Sequence, residues 1–239
     1  ISYGDFGFSY VQLVASLMGH ILGDYANPDI TAEWVPKMVS GERIVGVGLT
    51  EPRGGSDAAN LILKAEKSGN GYVLNGEKAS LSFSTQADAM VVFARTGSAE
   101  EKGRGVSAFF VEMNEKGVSR TAYNDLGTKT VGRGSVYFDD VHLPADCLLG
   151  EEGEGFGQVM HGFDYSRAII GFQCLGATQA SLDDAWKYAT EREAMGRPIA
   201  QYQGVTFPLA EAETLLTAAR LLCYKTLWLR DHDMPHTSE

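Results

Sequence analysis

Thr50 and Ser56 place two hydroxyls in one short glycine-rich stretch, Leu49-Thr50-Glu51-Pro52-Arg53-Gly54-Gly55-Ser56-Asp57. It follows an apolar run, Ile44-Val45-Gly46-Val47-Gly48, that reads as a strand. Glycines let a backbone approach a ligand closely, and turned N–H groups can cradle an anion. The same residues also suit an ordinary strand-to-loop turn. A second constellation is Asp164-Tyr165-Ser166-Arg167. Residues three apart share a helix face, so Asp164 and Arg167 can act together or form a surface ion pair worth little. A third is Glu191-Arg192-Glu193-Ala194-Met195-Gly196-Arg197-Pro198, then Gln201-Tyr202-Gln203. The paired N–H donors of Arg192 suit a pyrophosphate. A helix C-terminus that favours cations explains Arg192 and Arg197 as well, but not Gln203. Asp5, in Gly4-Asp5-Phe6-Gly7-Phe8, reads as a helix N-cap or as a partly desolvated carboxylate able to take a proton.

Such residues need elements to hold them, and three zones of periodicity supply these. Up to about residue 42, Val11, Val14, Leu17, Met18, Ile21 and Leu22 recur at helical spacing. Asn27-Pro28-Asp29 interrupts this, and Ile30 to Val39 resumes it. Residues 43 to 150 read as β. Leu61-Leu63, Gly71-Leu74, Met90-Ala94, Val106-Val111 and Ser135-Phe138 are short strand-like runs. Turn signals at Ser68-Gly69-Asn70-Gly71 and Asn75-Gly76 separate them. On residue types alone, Asn75 to Ser82 is a hairpin with an Asn-Gly turn. This spacing predicts a small barrel or sandwich. From Gly155 the helical pattern returns, with long helices over Ala177 to Arg192 and Val205 to Leu229. The expected organisation is α+β: the end of a helical segment at 1–42, a small β domain at 43–150, and the first part of a helical bundle at 151–239.

Composition bounds the partners. A net charge of −11 argues against nucleic acid or an anionic membrane, but leaves room for a local basic pocket. Cys147, Cys174 and Cys223 form no C-x-x-C pair, so no zinc site is expected. No apolar run reads as a membrane span. The chain begins at Ile1 without a recognisable signal peptide, which predicts a cytoplasmic location, or the mitochondrial matrix in a eukaryote.

Five stretches, in order, resemble the acyl-CoA dehydrogenase family of FAD enzymes. Residues 49–57 look like its T-E-P-x-x-G-S-D signature. Asn75-Gly76-Glu77-Lys78-Ala79-Ser80-Leu81-Ser82 resembles N-G-x-K-x-W-I-T/S, with Ser80 where the family has a Trp beside the flavin ring. Leu126 to Pro144 looks like L-G-x-(R/K)…F-x-D-V-x-V-P, Asp164 to Arg167 like D-x-x-R, and Glu191 to Gln203 like E-R-x-x-F-G-x-x-(I/L)-x-x-x-Q. The resemblance implies a central β-barrel between helical domains, incomplete at both ends of this chain.

It implies FAD contacts at Leu49, Thr50, Gly55, Ser56, Ser80 and Ser82. Arg192 and Gln203 would reach the adenine dinucleotide of a neighbouring subunit's FAD, hence a homo-oligomer, a dimer of dimers. Ser56, Asp164, Ser166 and Arg167 would bind the acyl-CoA substrate. The implied reaction is α,β-dehydrogenation, with a carboxylate taking the α-proton, hydride passing to flavin N5, and an electron-transfer flavoprotein as acceptor. The commoner family glutamate falls after Glu239, and the rarer position is Ser166, which leaves Asp5 as the candidate base within the chain. Ser80 and the aromatics near Asp5 suggest a cyclic or branched acyl group. A straight-chain dehydrogenase, a flavin oxidase of the same fold and a flavin-free binding protein remain open.

Overall fold

The computed structural model describes residues 1–127 and 129–239; Thr128, inside the Leu126 to Pro144 stretch, lies outside the described residues. Two compact units divide the chain. One is Val14–Phe163, the other Ile1–Leu13 together with Asp164–Glu239.

The first unit is built on a sheet of eight strands: β1 (Val45–Gly48), β2 (Lys64–Ser68), β3 (Gly71–Leu81), β4 (Ala89–Arg95), β5 (Val106–Glu112), β6 (Val118–Ala122), β7 (Gly134–Pro144) and β8 (Leu148–Leu149). Their order is β6-β7-β3-β2-β4-β5-β8, with β1 parallel to β4. Strand β4 is apolar throughout Ala89–Ala94, and all six residues are fully buried because both its faces are covered. Helix α2 (Pro28–Ser40) is capped by Asn27, whose side chain accepts from Ile30 N. Its buried Trp34 meets Phe110 edge to face at 4.9 Å. Helix α1 (Phe6–Tyr25) buries Val14, Leu17, Met18, Ile21 and Leu22. Contrary to the sequence expectation, α1 is long and apolar enough to cross a membrane by length and composition, but core helices pass the same test.

Two β expectations change. Leu61 to Leu63 is not a strand; the strand is the charged run Lys64–Ser68 that follows. The reason is a contact eleven to twelve residues distant in sequence: Ile62 N and Leu63 N donate to the carboxylate of Glu51, at 2.7 and 2.8 Å, rather than to a strand. Asn75-Gly76 is not a hairpin turn but a bulge inside β3, where the register against β7 shifts between Leu74 and Gly76. Asn75 is engaged there with Asp140, donating to its carboxylate at 3.0 Å and accepting from its N–H at 2.9 Å. The hairpin turn is Gly69-Asn70, with Ser68 paired to Gly71 and Gly69 at φ +59°, which glycine adopts freely.

In the second unit, the part of α3 (Gly155–Glu191) from Asp164 onward and α4 (Gln203–Asp231) are joined by a small hairpin, β9 (Glu193–Ala194) and β10 (Arg197–Pro198). Leu175, Leu182 and Leu216 form its core, packed with Phe172, Leu209 and Ala212. The helix expected from Ala177 is the second half of the 37-residue α3.

Candidate functional site

Residues 49–57 and 75–82 are brought together by a buried ion pair that sequence reasoning missed. Lys78 Nζ lies 2.9 Å from Glu51 Oε1 and donates to Leu49 O at 2.9 Å. The side chains are 0% and 2% exposed. Glu51 also accepts from Ile62 and Leu63, so one carboxylate ties the turn, β3 and the start of β2. Ala79 N donates to Thr50 O at 3.0 Å, a further stitch between the same segments. Burial pushes the Lys78 ammonium down to about 8, with Glu51 pulling the other way. The signal available in the sequence was a Glu and a Lys in the two motif stretches, but Arg53, Asp57 and Glu77 share those stretches and nothing local singled out the pair.

The turn itself closes through Glu51 N to Gly54 O and Gly54 N to Glu51 O. At Gly55 a Cβ would stand 3.1 Å from Thr50 Cγ2 and 3.2 Å from its Oγ1, so a side chain there would crowd the Thr50 hydroxyl. Ser56 and Ser80 are exposed, Thr50 and Ser82 half-buried, and Leu49 is buried. None of the four hydroxyls hydrogen-bonds another described residue. Ser80 sits at φ +58° and Phe83, buried, at φ +61°. Left-handed backbone is uncommon for non-glycine residues and an outlier for a bulky one.

Beside this turn runs a groove of about 800 Å³ lined in part by Arg53, Lys64, Lys67, Arg95, Glu66 and Glu152. Its cations are not equivalent. Arg95 donates to four carbonyls, of Ala59, Leu61, Ser98 and Lys102, and so holds the loops that make the groove wall. Lys67 pairs with Glu152 at 2.8 Å. Arg53 makes no hydrogen bond or ion pair with a described residue.

In the second unit, Arg167 Nη1 reaches Asp164 Oδ1 at 3.1 Å, and Asp164 Oδ2 accepts from Thr237 Oγ1 at 2.8 Å. Ser166 is buried on the same helix. Arg192 and Gln203 are exposed and flank the β9–β10 hairpin, one just after α3 and the other at the first position of α4. The hairpin tip is Met195-Gly196, at φ +51° and +79°, with Met195 95% exposed. Among the described residues no cluster of His, Cys, Asp or Glu is arranged to hold a metal ion.

Asp5 receives a different role from the candidate base. Its Oδ1 accepts from Phe8 N at 2.5 Å, and it immediately precedes α1, which makes it the N-cap of that helix. It is exposed, as a helix cap commonly is. Asp5→Asn, which keeps the acceptor, is expected to leave thermal melting unchanged, whereas Asp5→Ala should cost about 1 kcal/mol. Calorimetry on both variants checks this, and equal melting of Asp5→Ala and wild type would remove the capping role.

A β-sheet unit followed by a long helical hairpin is also the domain order of one enzyme family. Family models agree: that of the acyl-CoA dehydrogenase middle domain matches residues 46–141, and that of the C-terminal domain matches residues 153–239. The short-chain specific acyl-CoA dehydrogenase of Rattus norvegicus mitochondria is 38% identical over 208 residues, 87% of this chain and 50% of its own length. The probable acyl-CoA dehydrogenase YngJ of Bacillus subtilis is 33% identical over 237 residues, 99% of this chain and 62% of its own. The butyryl-CoA dehydrogenase structure from Megasphaera elsdenii superposes with a TM-score of 0.93 at 30% identity, covering 99% of this chain and 62% of that one. The chain belongs to the acyl-CoA dehydrogenase family, and it spans half to about three fifths of these relatives' length.

The donor set fits the FAD that the family implies. Four hydroxyls without hydrogen-bond partners among the described residues, Thr50 and Ser56 on the turn and Ser80 and Ser82 at the end of β3, suit the polar edge of a flavin.

Proposed function

We propose that this chain supplies the flavin- and substrate-binding parts of an FAD-dependent acyl-CoA dehydrogenase, with the three-part division at 1–42, 43–150 and 151–239. The observation that carries the reading is the pair of motifs locked together by Glu51 and Lys78, with the hydroxyls of Thr50, Ser56, Ser80 and Ser82 left unengaged beside them. Bound FAD would supply the hydride acceptor for desaturation of the acyl chain. The protein's own residues do the rest. Thr50, Ser56 and Ser82 orient the flavin through hydroxyl hydrogen bonds, with Leu49 and Gly55 shaping its approach. Arg192 and Gln203 hold the adenine dinucleotide of a neighbouring subunit's FAD, which makes the active form an oligomer. Asp164, Ser166 and Arg167 bind the arm of the CoA thioester. An electron-transfer flavoprotein is the proposed acceptor. A relative from Acetobacterium woodii, 33% identical, is the CarC subunit of a caffeyl-CoA reductase-Etf complex.

The acyl group we propose is cyclic or branched. Its one support is the small, exposed Ser80 at a position where a bulky residue would narrow the site. Asp5, as a helix cap, no longer supports it. Likeness to short-chain enzymes favours a straight short chain instead.

The test uses the whole protein to which this chain belongs. It is expected to purify yellow, and anaerobic addition of an acyl-CoA should bleach the flavin band. Cyclohexanecarbonyl-CoA should bleach faster than butyryl-CoA or octanoyl-CoA. The reverse order would overturn the cyclic substrate alone. A colourless protein that does not take up FAD would overturn the whole reading. Arg192→Ala should lower FAD retention and weaken assembly together; a monomer that keeps stoichiometric flavin would refute the shared site.

A further inference from the structure

The backbone at Ser80 is held in an uncommon shape by a residue that neither the motifs nor the composition marked. Strand β3 loses register against β7 between Lys78 and Leu81, and Ser80 lies in that irregular step at φ +58°. A serine in left-handed backbone is a cost that must be met by its surroundings, and such outliers gather at ligand sites. Here Ser80 N donates to Tyr123 Oη at 3.4 Å. Tyr123 Oη is 2.8 Å from Ser135 Oγ, and Ser135 is buried on β7. Tyr123 follows β6 directly and is pinned by its own N–H, which donates to Arg133 O at 2.8 Å. Its side chain is thus fixed at both ends, yet the residue is 38% exposed. A ring tethered by its hydroxyl beside Ser80, with surface left open, has a face to offer a planar ligand.

The proton inventory points the same way. Tyr123 Oη already accepts from Ser80 N. If Ser135 also donates to it, the phenol hydrogen is directed outward, toward whatever occupies the site.

We propose that Tyr123 is a flavin-side residue: its phenol fixes the Ser80 peptide, and its ring is the aromatic neighbour of the bound flavin that the side chain at position 80 does not provide. This rests on the reading of residues 49–56 and 80–82 as a flavin site. Tyrosine close to a flavin quenches its emission by electron transfer, which phenylalanine and leucine do not.

The experiment compares wild type, Tyr123→Phe, Tyr123→Trp and Tyr123→Leu in the flavin-loaded whole protein. Bound-flavin fluorescence per flavin and visible circular dichroism are recorded on samples of equal flavin content. Tyr123→Phe and Tyr123→Leu should raise emission several-fold and shift the visible dichroism, and Tyr123→Trp should stay quenched. Emission and dichroism unchanged in Tyr123→Phe and Tyr123→Leu would overturn the inference and leave the flavin site standing. Wild-type protein that takes up no flavin would overturn the site reading and the inference with it. If Tyr123→Leu folds poorly, Tyr123→Phe decides, since it keeps the ring and removes only the hydroxyl.

Discussion

Lys78→Met is expected to destabilise the protein by about 3–5 kcal/mol, the usual cost of stranding one partner of a buried ion pair. Against a typical total of about 5–15 kcal/mol, that leaves a large unfolded fraction. The stranded group is Glu51, 2% exposed at its side chain and unable to reach water. Its two backbone donors, Ile62 N and Leu63 N, soften the loss but do not neutralise the charge. Adding Glu51→Gln to Lys78→Met should recover most of the stability, because glutamine keeps an acceptor for those N–H groups and carries no charge. Glu51→Leu should recover less, since it removes the acceptor too. Urea denaturation of wild type, Lys78→Met, Glu51→Gln and the double variant forms a double-mutant cycle. A Lys78→Met protein within about 1 kcal/mol of wild type would sink the account.

The pH dependence gives the pair a second signature. The folded value of Lys78, about 8, lies below the ordinary 10.5, so between those limits the unfolded chain binds more protons. This group therefore makes folding more favourable as pH rises through that window, and its burial penalty is fully felt below pH 8. The stability difference between wild type and the Lys78→Met, Glu51→Gln variant should grow in favour of wild type from pH 8 to 10. A difference that shrinks over that range contradicts the sign.

Ser56→Ala is the second large expected effect, and it falls on ligand binding rather than on folding. Ser56 is exposed and bonds no other described residue, so removing its hydroxyl strands nothing in the folded chain. A lost hydrogen bond to a charged or strongly polar ligand group is worth about 1.5–3 kcal/mol. FAD affinity should fall about ten- to a hundred-fold, while the flavin-free protein melts as before. Gly55→Ala provides the steric comparison: its Cβ would meet Thr50 Cγ2 at 3.1 Å, which forces the threonine side chain to move. Titration of flavin-free protein with FAD, alongside melting of the same samples, measures both quantities. A parallel fall in the stability of flavin-free Ser56→Ala would make the turn structural and remove Ser56 from the cofactor.

The sequence by itself determined the helix-sheet-helix order, because that order is written in periodicity. The 3.6-residue spacing of Val14, Leu17, Met18, Ile21 and Leu22, and the unbroken apolar run of β4, each match one way of burying a face. Motif spacing likewise located the turn at 49–57, whereas the β9–β10 hairpin between Arg192 and Gln203 came only from the structure. Only the tertiary structure decided which polar residues are engaged within the chain. Leu61 to Leu63 looked like a strand because its side chains are apolar, but its N–H groups are claimed by Glu51, twelve residues away from Leu63, and no local pattern records that. Lys64–Ser68 carries no apolar run to mark it as a strand, yet it pairs with β3 while exposing four of its five residues. Asn75-Gly76 has the composition of a turn and became a bulge because Asp140, on a strand distant in sequence, supplied its hydrogen-bond partners. Lys78 and Tyr123 escaped sequence reasoning for the same reason. Their partners, Glu51 and Ser80, lie 27 and 43 residues away, and only folding sets the distances that give them their roles.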